Sequence, residues 1–343
     1  MWFIFISYYI IIIGGNMASV LDELPTDNEF QSLPKVDLHI HLNGSISIEL
    51  LMELSGLSRE EVIDRIVARG RIDTFDYINK LDFVNNLLQN KESLYKVSKD
   101  LVDRLAKENV IYAEVRFTPM LHLERGLTYD DAIESVIKGL SSNPHVKANL
   151  ILCMMRGATL YQNTETVKYT SKYLGKGVCA LDILGDEELY PLHNYMKLFK
   201  FAALERIPYT IHAGRSTDDL YDALILHAKR ISNGVKATTD IDLLRFLYYK
   251  KILIESSPSN DLMIGEVSSM SNHPINFFKR NDFNVCINSD NSTISNISLI
   301  DEYQLLSDTF HFTIDNFRKM NLNAINSSFL SKEEKDKYRK LFE

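Results

Sequence analysis

Residues 34–47 read PKVDLHIHLNGSIS, and the interpretation of the whole chain turns on them. Val36–Leu42 is an apolar run into which His39 and His41 are set two residues apart. Strand alternation carries both imidazoles to the same side, the arrangement a two-point metal chelate requires. A lone HxH pair is weak evidence, because paired histidines at a strand end are often only hydrogen-bonded. Its meaning depends on what the later runs bring to the same place.

Seven further runs follow: Val110–Phe117, Ala148–Met155, Gly177–Leu184, Ile207–His212, Arg230–Val235, Lys251–Ser257 and Phe283–Ser289. Amphipathic helical stretches separate them. Continuous apolar runs of this kind predict parallel strands covered by helices on both faces. Eight of them favour an α/β fold, a (β/α)8 TIM-type barrel, with a doubly wound open sheet as the alternative. Ser47–Leu54 reads as a helix capped by Ser45 or Ser47. Lys91–Asn109 repeats Leu94, Val97, Leu101, Val102 and Leu105 at helical spacing. The gap of about 70 residues after the first strand exceeds a single crossover and predicts extra helices forming a lid. The 301–343 tail reads as closing helices, its SKEEKDKYRK run as a solvated face.

Composition narrows the classes. The chain has 343 residues, 45% apolar and 24% charged, with a net charge of −8 and no basic block, so a nucleic-acid footprint is missing. Cys153, Cys179 and Cys286 stand apart with no CxxC pair. They read as buried thiols of a reducing, cytoplasmic compartment. Met1–Ile13 is apolar without Lys or Arg, too short to span a bilayer and lacking a positive n-region. An over-early start ahead of Met17, a cleaved signal and a membrane-surface anchor are all open for residues 1–16. Residues 17–343 read as one barrel domain.

Polar residues gather where the strands end, the face on which barrel active sites are built. Strand five ends His212-Ala213-Gly214 and strand eight Asn288-Ser289-Asp290. With His39 and His41, these supply three imidazoles and a carboxylate, a sound set for one zinc ion or a similar divalent cation. No Walker loop, GxGxxG or GxSxG occurs, and the absence of CxxC excludes the other class of zinc deaminase.

The stretches PKVDLHIHLNGSIS, YAEVRFTP, LILCMMRG, ALDILGDE, TIHAG, ESSPSN and INSD, in order over about residues 33–310, resemble the strand motifs of the adenosine deaminase family. The LNGSIS form resembles its N6-methyl-AMP deaminase branch. The resemblance implies a zinc-dependent (β/α)8 aminohydrolase in which metal-activated water displaces the 6-amino group of a purine nucleoside or nucleotide. It assigns the metal to His39, His41, His212 and Asp290, and ribose and purine contacts to Asn43 and Gly185. Glu114 and Arg116 lie in a family motif and read as a buried ion pair of the scaffold.

Three positions depart from the family pattern. Arg215 follows HAG where the family has its general-acid Glu. Asn233 in RISNG replaces the His that orients the water, and Asn291 replaces the Asp that bonds purine N7. The amide of Asn291 can donate to N7 unaided. Asn233 cannot take a proton, and Arg215 cannot give one up near neutral pH. A general acid or base contributes about 10²–10⁴-fold, so turnover is expected to be weak or absent. A guanidinium about 6 Å from a divalent ion would cost roughly 5 kcal/mol at an effective dielectric of about 20. Either it turns away, an anion intervenes, or metal affinity drops. Three readings follow: a zinc-binding, purine-binding protein with little turnover; a working purine deaminase using another acid; or a different metal-dependent hydrolysis with Arg215 on a substrate anion. His227 falls on the helix before strand six, His273 belongs to an HPI turn that resembles a family element, and His122, His145, His193 and His311 have no motif partner; all six read as surface or packed histidines.

Overall fold

The computed structural model describes residues 24–342; the apolar segment 1–16 lies outside the described residues. Among them are eight parallel strands: β1 (Lys35–His41), β2 (Val110–Phe117), β3 (Lys147–Met155), β4 (Val178–Leu184), β5 (Ile211–His212), β6 (Arg230–Ser232), β7 (Leu253–Ser256) and β8 (Val285–Ile287). They pair as two four-stranded halves, β1-β2-β3-β4 and β5-β6-β7-β8. Two seams join the halves. Leu181 bridges Tyr209 at one, and Ile40 bridges Asp290 at the other. At the second seam His41 N–H donates to Asp290 C=O at 2.9 Å and Asp290 N–H to His39 C=O at 2.8 Å. The sheet closes into a (β/α)8 barrel, and the open-sheet alternative falls.

The second half has shorter strands than its apolar runs suggest, for local reasons. β5 is reduced to Ile211–His212, preceded by the single bridge of Tyr209 to Leu181 just after Pro208. Asn233 (φ 68°) and Gly234 (φ 67°) turn left-handed and stop β6 at Ser232. Lys251 (φ 52°) does the same before β7.

Four helices fill the interval between β1 and β2: Ile48–Ser55, Arg59–Ile66, Thr74–Leu87 and Lys91–Lys107. The first is capped by Ser47, whose hydroxyl accepts from Leu50 N–H. The last, capped by Asn90, buries Leu94, Val97, Leu101, Val102 and Leu105 as its spacing required. Thr74–Leu87 has only Val84 buried and stands over the C-terminal mouth of the barrel as the lid. At the tail, Lys332–Arg339 buries no side chain, although Leu330 and Phe342 on either side pack inward. No helix among the described residues is long and apolar enough to cross a membrane.

The barrel interior carries charge. Arg116 pairs with Asp182 (Nε–Oδ2 2.8 Å) and with Glu255, while Arg230 pairs with Glu114 and Glu255. All five side chains are fully buried. Glu114 and Arg116 are therefore scaffold, but they are not each other's partners. Side chains two apart on β2 point the same way, and each reaches a different strand across the barrel. Arg116 Nη1 also donates to Leu38 C=O at 2.8 Å, tying β1 to this network.

Candidate metal centre and its cavity

His39, His41 and His212 converge at the barrel mouth, their ligand atoms within 4.8 Å of one another. Nε2 of His39 lies 3.0 Å from that of His41 and 3.1 Å from that of His212. The remaining ring nitrogens have carboxylate neighbours in two cases. His212 Nδ1 is 2.9 Å from Asp182, and His39 Nδ1 is 3.3 Å from Glu255. A carboxylate that takes the Nδ1 proton leaves the Nε2 lone pair free and fixes the ring.

This donor set fits a metal. Three neutral imidazoles whose lone pairs face one another have no mutual hydrogen bonds to make, and a cation between them resolves the conflict. Ligands at about 2.0–2.1 Å from a tetrahedral zinc stand about 3.3 Å apart, close to the spacings seen. Two of the rings also resist protonation: burial first, then the Arg116 charge, pushes His39 down to about 3, and burial pushes His41 well below its ordinary value. Asp290 is adjacent and not part of the tight triad, with oxygens 3.4 Å from His41 Nε2 and 3.7 Å from His39 Nε2. Burial, then the charge of Asp261, lifts its carboxyl to about 8, so it needs a cation to stay ionised here.

The supporting carboxylates are held by arginines. Burial opposes charge on Asp182, yet His212 and Arg116 keep it well below the usual range. Arg230 and Arg116 do the same for Glu255. The scaffold network and the metal centre are thus one connected structure: arginine, carboxylate, imidazole.

A cavity of about 500 Å³ opens beside the triad. Asn43, Gly185, Arg215, Asn233 and Asn291 all line it, together with lid residues Tyr77 and Leu81. Gly185 has φ 120°, and a Cβ there would meet that of Arg156 at 2.9 Å, so the strand end can take no side chain. Asn43 Nδ2 donates to Asn85 of the lid and lies 3.3 Å from His122 Nε2. His122, read from sequence as an unremarkable surface or packed histidine, is buried, stacked on Phe117 and one step from the cavity.

Arg215 turns toward Glu266, with Nε 3.1 Å from Oε1. Its charge thus has a counterion supplied by the chain itself. Glu187 accepts from the N–H groups of Gly214 (3.2 Å) and Arg215 (3.0 Å). Asn233 Nδ2 donates to Asp261 at 3.1 Å, and Asp261 also faces His273 Nε2 at 3.0 Å. The amide is thereby oriented, leaving Asn233 Oδ1 buried and unpartnered among the described residues. Asn291 Nδ2 donates to Asp290 and, at 2.9 Å, to the oxygen of Tyr77. Glu266, Asp261, Tyr77 and Glu255 escaped the sequence reading. Each acts across the fold, and no local spacing announces such a contact.

Residues 34–342 match the family model described as adenosine deaminase. An adenosine deaminase of Clostridium botulinum is 31% identical over 329 residues, covering 92% of this chain and 99% of the relative. Among solved structures, the N6-methyl-AMP deaminase of Arabidopsis thaliana superposes with a TM-score of 0.82 at 22% identity, covering 92% of this chain and 97% of its own. An amidohydrolase of Burkholderia ambifaria with bound zinc gives a TM-score of 0.84 at 22% identity, covering 92% and 91%.

Proposed function

This chain belongs to the adenosine deaminase family, and we propose that it binds a zinc ion and a purine nucleoside or nucleotide while deaminating it weakly or not at all. One observation carries the reading. The metal side of the cavity has a full set of ligands with oriented supports, while the opposite wall offers an arginine paired to Glu266 and two asparagines. His39, His41, His212 and Asp290 would hold the ion. Bound there, zinc would supply a Lewis acid that brings the pKa of water to about 7.

The other groups bind and orient without moving a proton. Arg215 stays charged. Asn233 Oδ1 can accept a hydrogen bond but cannot carry a proton away. The cavity's other carboxyls already serve the backbone: Asp73 accepts from Asp76 N–H, Asp186 from Glu188 and Leu189 N–H, and Glu187 from Gly214 and Arg215 N–H. Substrates in this reading are adenosine, AMP or N6-methyl-AMP, supported by the activities for which the similar proteins are named. Three free, buried cysteines support a cytoplasmic location.

A second reading, a working deaminase with a different acid, has one observation in its favour. Burial raises the Glu266 carboxyl, partly offset by Arg215, and a raised carboxyl is what a general acid needs. The deciding experiment measures ammonia and methylamine release by zinc-replete protein from adenosine, AMP, N6-methyladenosine and N6-methyl-AMP, with zinc content on the same sample. Little or no release with about one zinc per chain and measurable purine binding is expected. Many turnovers, abolished in Glu266→Gln, would replace the first reading by the second. Absence of zinc or of any purine binding would end both.

A further inference from the structure

The lid does more than cover the cavity. Tyr77, Leu81 and Asn85 recur at four-residue spacing on the helix Thr74–Leu87, so one stripe of that helix faces the barrel mouth. Its two polar members meet asparagines at the ends of β1 and β8: Asn85 meets Asn43, and Tyr77 meets Asn291.

The second contact has a direction that chemistry fixes. An amide nitrogen only donates, so the oxygen of Tyr77 is the acceptor. Turning the amide over would set its Oδ1 against the Asp290 carboxylate. Its other N–H is taken by Asp290, and its Oδ1 lies where a Cβ on Gly44 would stand, 1.8 Å away in an ideal build, so Gly44 alone makes room for it. With its oxygen occupied by Asn291, the phenol still has its own proton to give. No acceptor for that proton is present among the described residues, and Tyr77 lines the cavity.

We propose that Tyr77 is the ligand-reading residue of this site: its hydroxyl donates to an unprotonated ring nitrogen of the bound purine, and Asn291 is a positioning residue that holds the phenol oxygen so that the O–H faces the ligand. This rests on the reading that the cavity takes a purine, and it adds the group that would recognise the ring.

The test uses zinc-loaded full-length protein and measures affinity for adenosine and its 1-deaza, 3-deaza and 7-deaza analogues, in each of which a C–H replaces one ring nitrogen. The wild type is expected to bind one of the three about tenfold more weakly than adenosine, the size of one buried hydrogen bond. Tyr77→Phe should lower adenosine affinity by a similar factor and abolish the discrimination against that one analogue. Asn291→Ala should reduce the same discrimination in part. Zinc content and melting temperature of each variant separate these effects from loss of fold, since a damaged lid would weaken all four ligands alike. A flat series in the wild type, or a series that Tyr77→Phe leaves unchanged, overturns the proposal. Should the protein turn adenosine over rapidly, the low-turnover reading fails, while the same series, read as KM, still tests Tyr77. Binding of none of the four ligands overturns both.

Discussion

The two walls of one cavity have been treated differently. On the metal side, two of the three imidazoles are backed by carboxylates, those carboxylates are themselves held by Arg116 and Arg230, and the chain of contacts runs unbroken into the core. On the facing wall, Arg215, Asn233 and Asn291 each have a single partner brought from elsewhere in the chain, Glu266, Asp261 and Tyr77 respectively. The first wall is tied to folding and resists change, because altering one member leaves a buried charge without its counterion. The second is built from loop residues beyond the strand ends, where a side chain can be exchanged if one neighbour compensates. Chemistry that depends on the second wall can be lost while the first survives.

The sharpest way to break this contrast is to rebuild the second wall. Arg215→Glu with Asn233→His would install the proton-transfer groups that the proposed reading takes to be missing. Glu266→Gln belongs in the same variant, because a new carboxylate at 215 would otherwise face Glu266 where Arg215 now does. A gain in ammonia release of about 10²–10⁴-fold is expected. No gain, with zinc retained, would count against the reading that these two positions limit turnover.

Glu255→Ala probes the first wall directly. It strips two buried arginines of a shared partner, and a loss of about 3–5 kcal/mol in denaturant unfolding is expected. A loss below about 1 kcal/mol would show that the network is not what stabilises the mouth. Asp182→Asn is milder. It weakens the support of His212, and zinc affinity in competition with a chelator should fall about 10–100-fold.

Acidification gives the smallest effect per group. His39 at about 3 and His122 at about 4 stay neutral in the fold, whereas in the unfolded chain they take up protons below about 6.5. The unfolded state then binds more protons, so stability is lost as pH falls through that window. Metal-free protein should lose about 1 kcal/mol per such histidine between pH 7 and 5.5. His122→Gln should remove one share of that slope.

Much of the fold was legible because it repeats. Eight apolar runs, a capped helix at Ser47 and the heptad-like spacing of Leu94 to Leu105 are local signals, and the structure has all of them. The convergence of His39, His41 and His212 follows from strand ends in a closed barrel. What the sequence hid was long-range and polar. Nothing near Arg215 in the chain points to Glu266, and nothing near Asn233 points to Asp261. The pairing of Arg116 with Asp182 and Glu255 instead of Glu114 depends on which strands face one another across the barrel. Local pattern specifies elements; it does not say which charges will meet inside them.

The seam at Ile40 and Asp290 has a further consequence. His39 and His41 belong to one half-sheet, whereas His212 and Asp290 belong to the other half or its end. An ion shared among the four would act as a rivet through two plates, added to the backbone hydrogen bonds at the joint and to the buried Arg116–Glu255 and Arg230–Glu114 pairs that already span it. Selection for a barrel that stays shut would then keep the four side chains whether or not anything is hydrolysed. In that case the four side chains would speak of carpentry before they speak of trade.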